Sequence, residues 1–445
     1  MKRKQIIDTM VVGFALFAMF LGAGNLIFPP TLGAISGDKW YLAMIGFMMT
    51  GIGLPILGVV AAAKAGGRLD DVAGKVNKTF SILFGSLIMI CIGPLLAIPR
   101  TCATTYEIAI QPLFGNISPI LVSIIFFGIT LFFTLNQSKV VDKIGSILTP
   151  ILLVILFTII VSSIVKPIGT PKNTGVALNF VNGFKEGYQT MDAIGSIIMA
   201  TIVISSVKKR GYTSQKDMFK MTVISGIIAA CCLAFVYGGL VYIGGTGSEY
   251  LNIDVENPNR VANLIFMVDK IMGQYGTIAL ALTVALACLT TSIGLTATAG
   301  EFFSDLTHGK LTYKSIVIFT CLFSAIVATN GVDSIITFSG PILSVLYPVA
   351  IVIILLNIFD HKIKYKAIYK GATLGAFMAS LLDTIANIGK FEQIRSFLDR
   401  IPLGSEGFAW VIPAVVFGFA FIVLEMALNN NYQDGVLQWK SLKNF

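Results

Sequence analysis

Twelve apolar runs dominate the chain, at about residues 8–35, 40–63, 79–110, 119–136, 143–165, 178–207, 217–246, 274–303, 312–329, 332–359, 367–388 and 406–428. A helix that crosses a bilayer needs ~20 predominantly apolar residues, and each run is close to that or longer. A soluble chain of 445 residues would instead divide into several domains and expose still more polar surface. The charged share is only 12%, where soluble domains carry about 25%, and mean hydropathy is +0.83. Lipid is therefore the solvent for most of the chain. The sequence predicts an all-α polytopic membrane protein with twelve transmembrane helices, forming a single integral membrane domain over 1–445.

The loops between runs alternate in basic content. Of 32 Lys and Arg, nine fall on one side: Lys39, Lys166, Lys172, Lys185, Arg260, Lys270, Lys390, Arg395 and Arg400. Arg100 lies inside a run, and the remaining 22 occupy the N-terminus, the alternate loops and the tail. Basic loops stay cytoplasmic, so both termini are expected inside the cell (plasma or inner) membrane. The net charge of +9 then encodes orientation, and nucleic acid is not expected as a partner. The first run continues for about 28 residues through Phe28-Pro29-Pro30, beyond the 7–15 of a secretory signal. It reads as an uncleaved first span.

Little else in the chain suggests chemistry. Two histidines, His308 and His361, cannot build a multi-histidine metal centre. The six cysteines all lie inside apolar runs without a CxxC pair and read as small packing residues. Gly22-Ala23-Gly24 lacks the third glycine of a dinucleotide fingerprint, and no P-loop lysine follows a glycine cluster. An enzyme is not expected, no cofactor is implied, and any uphill transport must draw on an ion gradient.

Two runs are interrupted. The first holds Gly22-Ala23-Gly24-Asn25 followed by Pro29-Pro30, all poor in a helix interior. The sixth holds Glu186-Gly187-Tyr188-Gln189-Thr190-Met191-Asp192, a polar island between apolar arms. Backbone leaves the helix at membrane depth only where protein or a watery cavity satisfies it. The interruptions lie five runs apart, so they divide the first ten into two sets of opposite orientation, about 8–165 and 178–359, with two additional helices over 367–428. Matched breaks in an inverted repeat point to a transporter site near the midplane. Gly51, Gly53, Gly58, Gly238 and Gly239 read instead as close-packing glycines.

The stretch from Gly13 to Pro30 resembles the branched-chain amino acid:cation symporter family, the BrnQ-like branched-chain amino acid carriers. So do Ile98-Pro99-Arg100-Thr101 with Ala103-Thr104-Thr105-Tyr106-Glu107, and Glu186-Gly187-Tyr188 with Thr190-Met191-Asp192-Ala193. A fourth stretch is Cys288-Leu289-Thr290-Thr291-Ser292-Ile293-Gly294-Leu295 with Glu301-Phe302-Phe303. The resemblance covers essentially the whole chain. It implies a LeuT-type fold with a 5+5 inverted repeat, and sodium-coupled import of leucine, isoleucine and valine. No obligate protein partner is expected beyond the substrate and the lipid bilayer.

On that resemblance, N–H groups of Gly22, Ala23 and Gly24 at a half-helix start receive the substrate carboxylate. Carbonyls around Tyr188 to Thr190, with the charge of Asp192, face the ammonium; a structural acid at a helix end is the other reading of Asp192. Sodium is expected among the hydroxyls of Thr290 and Thr291 and the carbonyls of Ala18, Leu21 and Ala287. Asn25 and Thr190 are candidates for a second ion. Thr290 and Thr291 can equally bond back to their own helix. Arg100 costs ~2.5–3.5 kcal/mol at this depth and should have a partner, with Glu107 or Glu186 expected; it serves as an ion pair or as a carboxylate contact. Asp8 and Glu301 are inner-gate partners for Arg3 or Lys4, or interfacial charges. The alternatives are the same fold with proton coupling or another small amino acid and, from a different class, a channel, for which no filter loop is present.

Overall fold

The computed structural model describes residues 3–136, 139–251, 253–254 and 258–442, and for 136, 139–149 and 429–442 the backbone alone. Among the described residues every regular element is helical. The helices are α1 (Arg3–Phe20), α2 (Ala23–Ser36), α3 (Trp40–Met48), α4 (Leu54–Ala65), α5 (Leu69–Ala73), α6 (Lys78–Ile90), α7 (Ala97–Thr105), α8 (Gln111–Phe114), α9 (Pro119–Asn136) and α10 (Lys139–Val165). They continue as α11 (Asn179–Glu186), α12 (Asp192–Lys209), α13 (Gln215–Gly247), α14 (Arg260–Leu306), α15 (Tyr313–Ala328), α16 (Val332–Ile358), α17 (Ala367–Gly389), α18 (Glu392–Asp399) and α19 (Val411–Leu442).

Seven described helical stretches are long and apolar enough to cross a bilayer, and eight if the bent pair α11–α12 counts as one span. This falls short of the twelve expected, for identifiable reasons. Pro119–Leu135, Pro150–Val165 and Tyr313–Ala328 are apolar but shorter. The first two runs are divided differently, because α1 stands apart while α2 to α4 form one stretch, Ala23–Ala65. Lipid-facing side chains such as Val154, Phe319, Ile326 and Val423 are exposed, as an apolar solvent allows. The core gathers Phe17, Phe20, Phe28, Phe47, Tyr237 and Tyr347, all fully buried.

Both interruptions are present. Gly22 is extended (φ −107°, ψ −170°) between α1 and α2. Met191 takes a left-handed conformation (φ 63°) between the 3-10 turn Gly187–Thr190 and α12, where the axis bends by 43°. Contrary to the expectation for Pro29-Pro30, α2 runs through both prolines to Ser36. The prolines give no N–H to the carbonyls of Asn25 and Leu26, which frees two oxygens just past the break. A third discontinuity, Gly273 (φ 61°), kinks α14 where the eighth apolar run begins.

The arms of the broken helices pack crosswise. Both α1 and α2 lie on α13, α11 lies on α3, and α12 lies on α4. Two of these contacts are backbone on backbone. A Cβ on Gly33 would lie 2.0 Å from the Val241 carbonyl oxygen, and one on Gly244 1.9 Å from that of Pro30. Likewise a Cβ on Gly46 would meet Phe180 O at 2.1 Å, and one on Gly183 would meet Ala43 O at 2.0 Å. The packing role expected for Gly58 and Gly239 holds too, against Ser196 Oγ and Ile160.

Several basic residues of the loops find acids or carbonyls from distant parts of the chain. Lys64 donates to the Ile358 carbonyl (2.7 Å) and lies 3.0 Å from His361 Nδ1. Lys75 and Lys366 both pair with Asp360, at 3.1 and 2.6 Å. Asp8 pairs with Arg210 (2.9 Å) and accepts from Tyr212 (2.9 Å), so its hydrogen-bonding partners are not the expected Arg3 or Lys4. Glu249 accepts from the N–H (2.7 Å) and hydroxyl (3.1 Å) of Thr170. Those two donors hold its carboxyl below the usual carboxylate range.

Candidate functional site

The two breaks face each other across a direct hydrogen bond. Asn25, in the first turn of α2, donates through Nδ2 to Asp192 Oδ2 (2.6 Å) and to the Tyr237 hydroxyl on α13. Its Oδ1 accepts from Gly22 N–H at 3.3 Å. One amide side chain thus closes the first break, meets the second, and ties both to α13. Asp192 opens α12, where the free N–H groups of a helix start favour an anion, and its N–H lies 3.4 Å from Thr190 Oγ1. Thr190 donates its hydroxyl to the Gly187 carbonyl (2.9 Å).

Each break presents one positive and one negative helix end. α2 begins with the N–H groups of Ala23 and Gly24, for which a helix has no internal acceptor. α1 ends in carbonyls at Phe20, and the turn Gly187–Thr190 ends in carbonyls beside Met191. An arrangement of this kind offers donors to a carboxylate and acceptors to an ammonium. The Gly22 N–H is the exception among the expected donors, since the Phe20 carbonyl (3.0 Å) and Asn25 Oδ1 (3.3 Å) already take it.

Arg100, on α7, is nearly fully buried and spans both breaks. Its Nη1 donates to the Gln189 carbonyl (2.8 Å). Its Nη2 lies 2.7 Å from where a Cβ on Gly24 would stand. The guanidinium also covers the Phe28 ring, 5.3 Å from its centroid. Neither expected partner reaches it. Glu186 is taken by Arg260 at 3.1 Å, and Glu107 accepts from the Val332 N–H at 2.8 Å. The seven-residue spacing between Arg100 and Glu107 suggested one face of one helix, but a π-helical stretch, Tyr106–Ile110, takes over at that point.

The expected sodium ligands meet only in part. Thr290 donates to the Ala287 carbonyl (2.9 Å), so two of them satisfy each other along α14. Thr291 reaches the first break, its Oγ1 3.9 Å from a Cβ built on Gly22. Ala18 and Leu21 lie at the other edge of that break, at the end of α1 and just past it. Tyr188 stacks on Tyr347 with centroids 4.3 Å apart.

Several site contacts had no local signal in the sequence. Tyr237 lies 212 positions from Asn25, and Gln189 reaches Ser339 on α16 through its Oε1 (2.8 Å). Arg260 covers the face of Phe28 at 5.4 Å while pairing with Glu186 and, at 3.7 Å, with Asp333. Their identities show in the sequence, as a polar island at Glu186 and Gln189 and a basic loop residue at Arg260, but which residues they meet does not.

Residues 5–428 match the family described as branched-chain amino acid transport protein. The chain belongs to that family. It is 38% identical over 438 residues to the branched-chain amino acid permease BraB of Bacillus subtilis, covering 96% of this chain and 97% of that one. It is 33% identical over 415 residues to the branched-chain amino acid transport system 2 carrier protein of Pseudomonas aeruginosa, covering 92% and 94%. Among solved structures it is similar to the inward-facing conformation of Mhp1, with a TM-score of 0.63 at 13% identity over 94% of this chain and 91% of that one. It is similar also to MhsT in complex with L-phenylalanine, with a TM-score of 0.57 at 17% identity over 93% and 97%. At such identities the likeness is one of fold. The fold is LeuT-type, and this family member is a multi-pass membrane transporter rather than an enzyme.

Proposed function

We propose that the protein imports leucine, isoleucine and valine across the cell membrane in symport with sodium, with both termini cytoplasmic. The observation that carries this reading is the Asn25–Asp192 bond joining two broken helices, in a chain of the branched-chain amino acid transport family. The substrate carboxylate binds the N–H groups of Ala23 and Gly24, with Gly22 lining the turn and Arg100 adding charge. The ammonium faces Asp192 and the carbonyls around Tyr188 and Thr190. Sodium takes Thr290, Thr291 and the carbonyls of Ala18, Leu21 and Ala287, with Asn25 at its edge. Rotation of the Thr290 hydroxyl from the Ala287 carbonyl releases both oxygens to the ion. The crosswise packing of α1 on α13 and α11 on α3 supports reading 8–165 and 178–359 as inverted repeats and the whole as twelve spans.

A proton-coupled second reading rests on the mutual satisfaction of Thr290 and Ala287 and on the hydrogen-bonded carboxyl of Asp192 between the breaks. Uptake of labelled leucine into proteoliposomes separates the two. An inward sodium gradient at equal pH should drive accumulation, and full uptake on a proton gradient alone, unchanged by sodium, would overturn the sodium assignment.

A further inference from the structure

The loop from α16 to α17 joins two helices that are each long and apolar enough to cross a bilayer, and only residues 359–366 lie between them. It therefore sits at the depth of the lipid headgroups. Residues 359–370 hold four lysines and one acid, Asp360. That acid is already filled. Its Oδ1 accepts from Lys366 (2.6 Å) and the Tyr369 hydroxyl (2.8 Å), and its Oδ2 accepts from Lys75 (3.1 Å). Lys64 donates to the Ile358 carbonyl at the head of the loop (2.7 Å). These contacts pin the loop to α4 and to the segment after α5.

Three lysines are left over. Lys362, Lys364 and Lys370 are exposed and make no hydrogen bond or ion pair among the described residues. Two of them stand over rings, Lys362 at 6.0 Å from the centroid of Phe359 and Lys364 at 5.4 Å from that of Tyr365. A ring face attracts an ammonium but leaves its charge in place. Lys370 stands one turn before Leu374 on α17. Leu374 and Met378 are exposed, as are Leu355 near the end of α16 and Phe359. The surface thus sets unneutralised cations beside hydrocarbon. A soluble anion would meet only the cations, whereas an anionic amphiphile meets both.

We propose that this loop binds the headgroup of an anionic phospholipid. The phosphate takes the ammoniums of Lys362, Lys364 and Lys370, and the acyl chains run along Leu355, Leu374 and Met378. This goes beyond the transport reading and uses none of the residues assigned to substrate or ion.

Mass spectrometry of the intact full chain, equilibrated in mixed micelles of phosphatidylglycerol and phosphatidylcholine with matched acyl chains, tests it. The wild type should retain phosphatidylglycerol over phosphatidylcholine by roughly tenfold or more, since each lysine close to anionic lipid contributes about a factor of five at most. The triple variant Lys362→Gln/Lys364→Gln/Lys370→Gln should retain the two lipids nearly equally while binding leucine as the wild type does. Lys208→Gln/Lys216→Gln/Lys220→Gln removes the same charge from exposed positions around the α12–α13 turn and should keep the preference. Lys364→Gln alone should give part of the fall, and it carries the test if the triple variant does not fold. Equal retention in the wild type, an unchanged preference in the loop variants, or the same fall in both triple variants overturns the proposal. Inorganic phosphate, compared with chloride at the same ionic strength, should leave the wild-type preference in place. If phosphate abolishes it, the loop takes a soluble phosphate and the lipid assignment fails.

Discussion

The glycines at the first break do different work, although the sequence presents them alike. A Cβ at Gly24 would stand 2.7 Å from Arg100 Nη2 and 2.9 Å from Phe28 Cε2, whereas at Gly22 the nearest atom is 3.6 Å away. Gly24→Ala should therefore cost about 1–3 kcal/mol, the usual range for overpacking, and lower leucine uptake per folded molecule. Gly22→Ala should melt within about 0.5 kcal/mol of wild type; thermal shift and uptake normalised to folded protein check both. Asp192→Ala should leave the protein recoverable in detergent but weaken leucine binding, and normal affinity in that variant would make Asp192 a purely structural acid. The positions of Gly24, Asn25 and Asp192 were legible because polar residues stand out in an apolar run. Their partners were not, since a hydrogen bond between residues 167 apart leaves no local trace. The pairing of Arg100 with Glu107 or Glu186 was misjudged for a related reason: its guanidinium meets a ring face and a main-chain carbonyl, with Nε left without a hydrogen-bond partner, and none of this shows in a list of charges.

At the scale of helices, the apolar runs and both breaks were visible in the sequence, and their boundaries were less so. The Pro29-Pro30 pair looked like a terminus, yet α2 continues to Ser36, with every residue but Ile35 buried. Four glycines that the sequence reading did not single out, Gly33, Gly46, Gly183 and Gly244, lack side chains where helix backbones touch. Gly244→Ala would drive a Cβ to 1.9 Å from the Pro30 carbonyl oxygen, and Gly183→Ala to 2.0 Å from that of Ala43. Backbone cannot step aside as a side-chain tip can. Each substitution should cost at least the 1–3 kcal/mol of ordinary overpacking, read as a lower melting temperature and a smaller folded yield. Gly294→Ala, with nothing within 4 Å of its Cβ, is the matched control.

At the scale of the whole molecule, Asp360 draws together basic residues from loops far apart in the chain. Burial pulls Asp360 upward, but hydrogen bonds from Lys366, Tyr369 and Lys75 outweigh it and hold the carboxyl at about 2, below an ordinary 3.8. A carboxyl lowered on folding stabilises above its unfolded value and loses that contribution as pH falls through its folded value. The melting difference between wild type and Asp360→Asn should then be largest at neutral pH and shrink between about 4 and about 2. The glycine contacts have a consequence of another kind. A helix pair seated carbonyl on glycine cannot slip by one residue without driving a side chain into a main-chain oxygen. Whatever the molecule does between its states, α2 must travel with α13 and α3 with α11. Spin labels placed one on each member of such a pair should report a single interhelix distance under every gradient, with or without leucine.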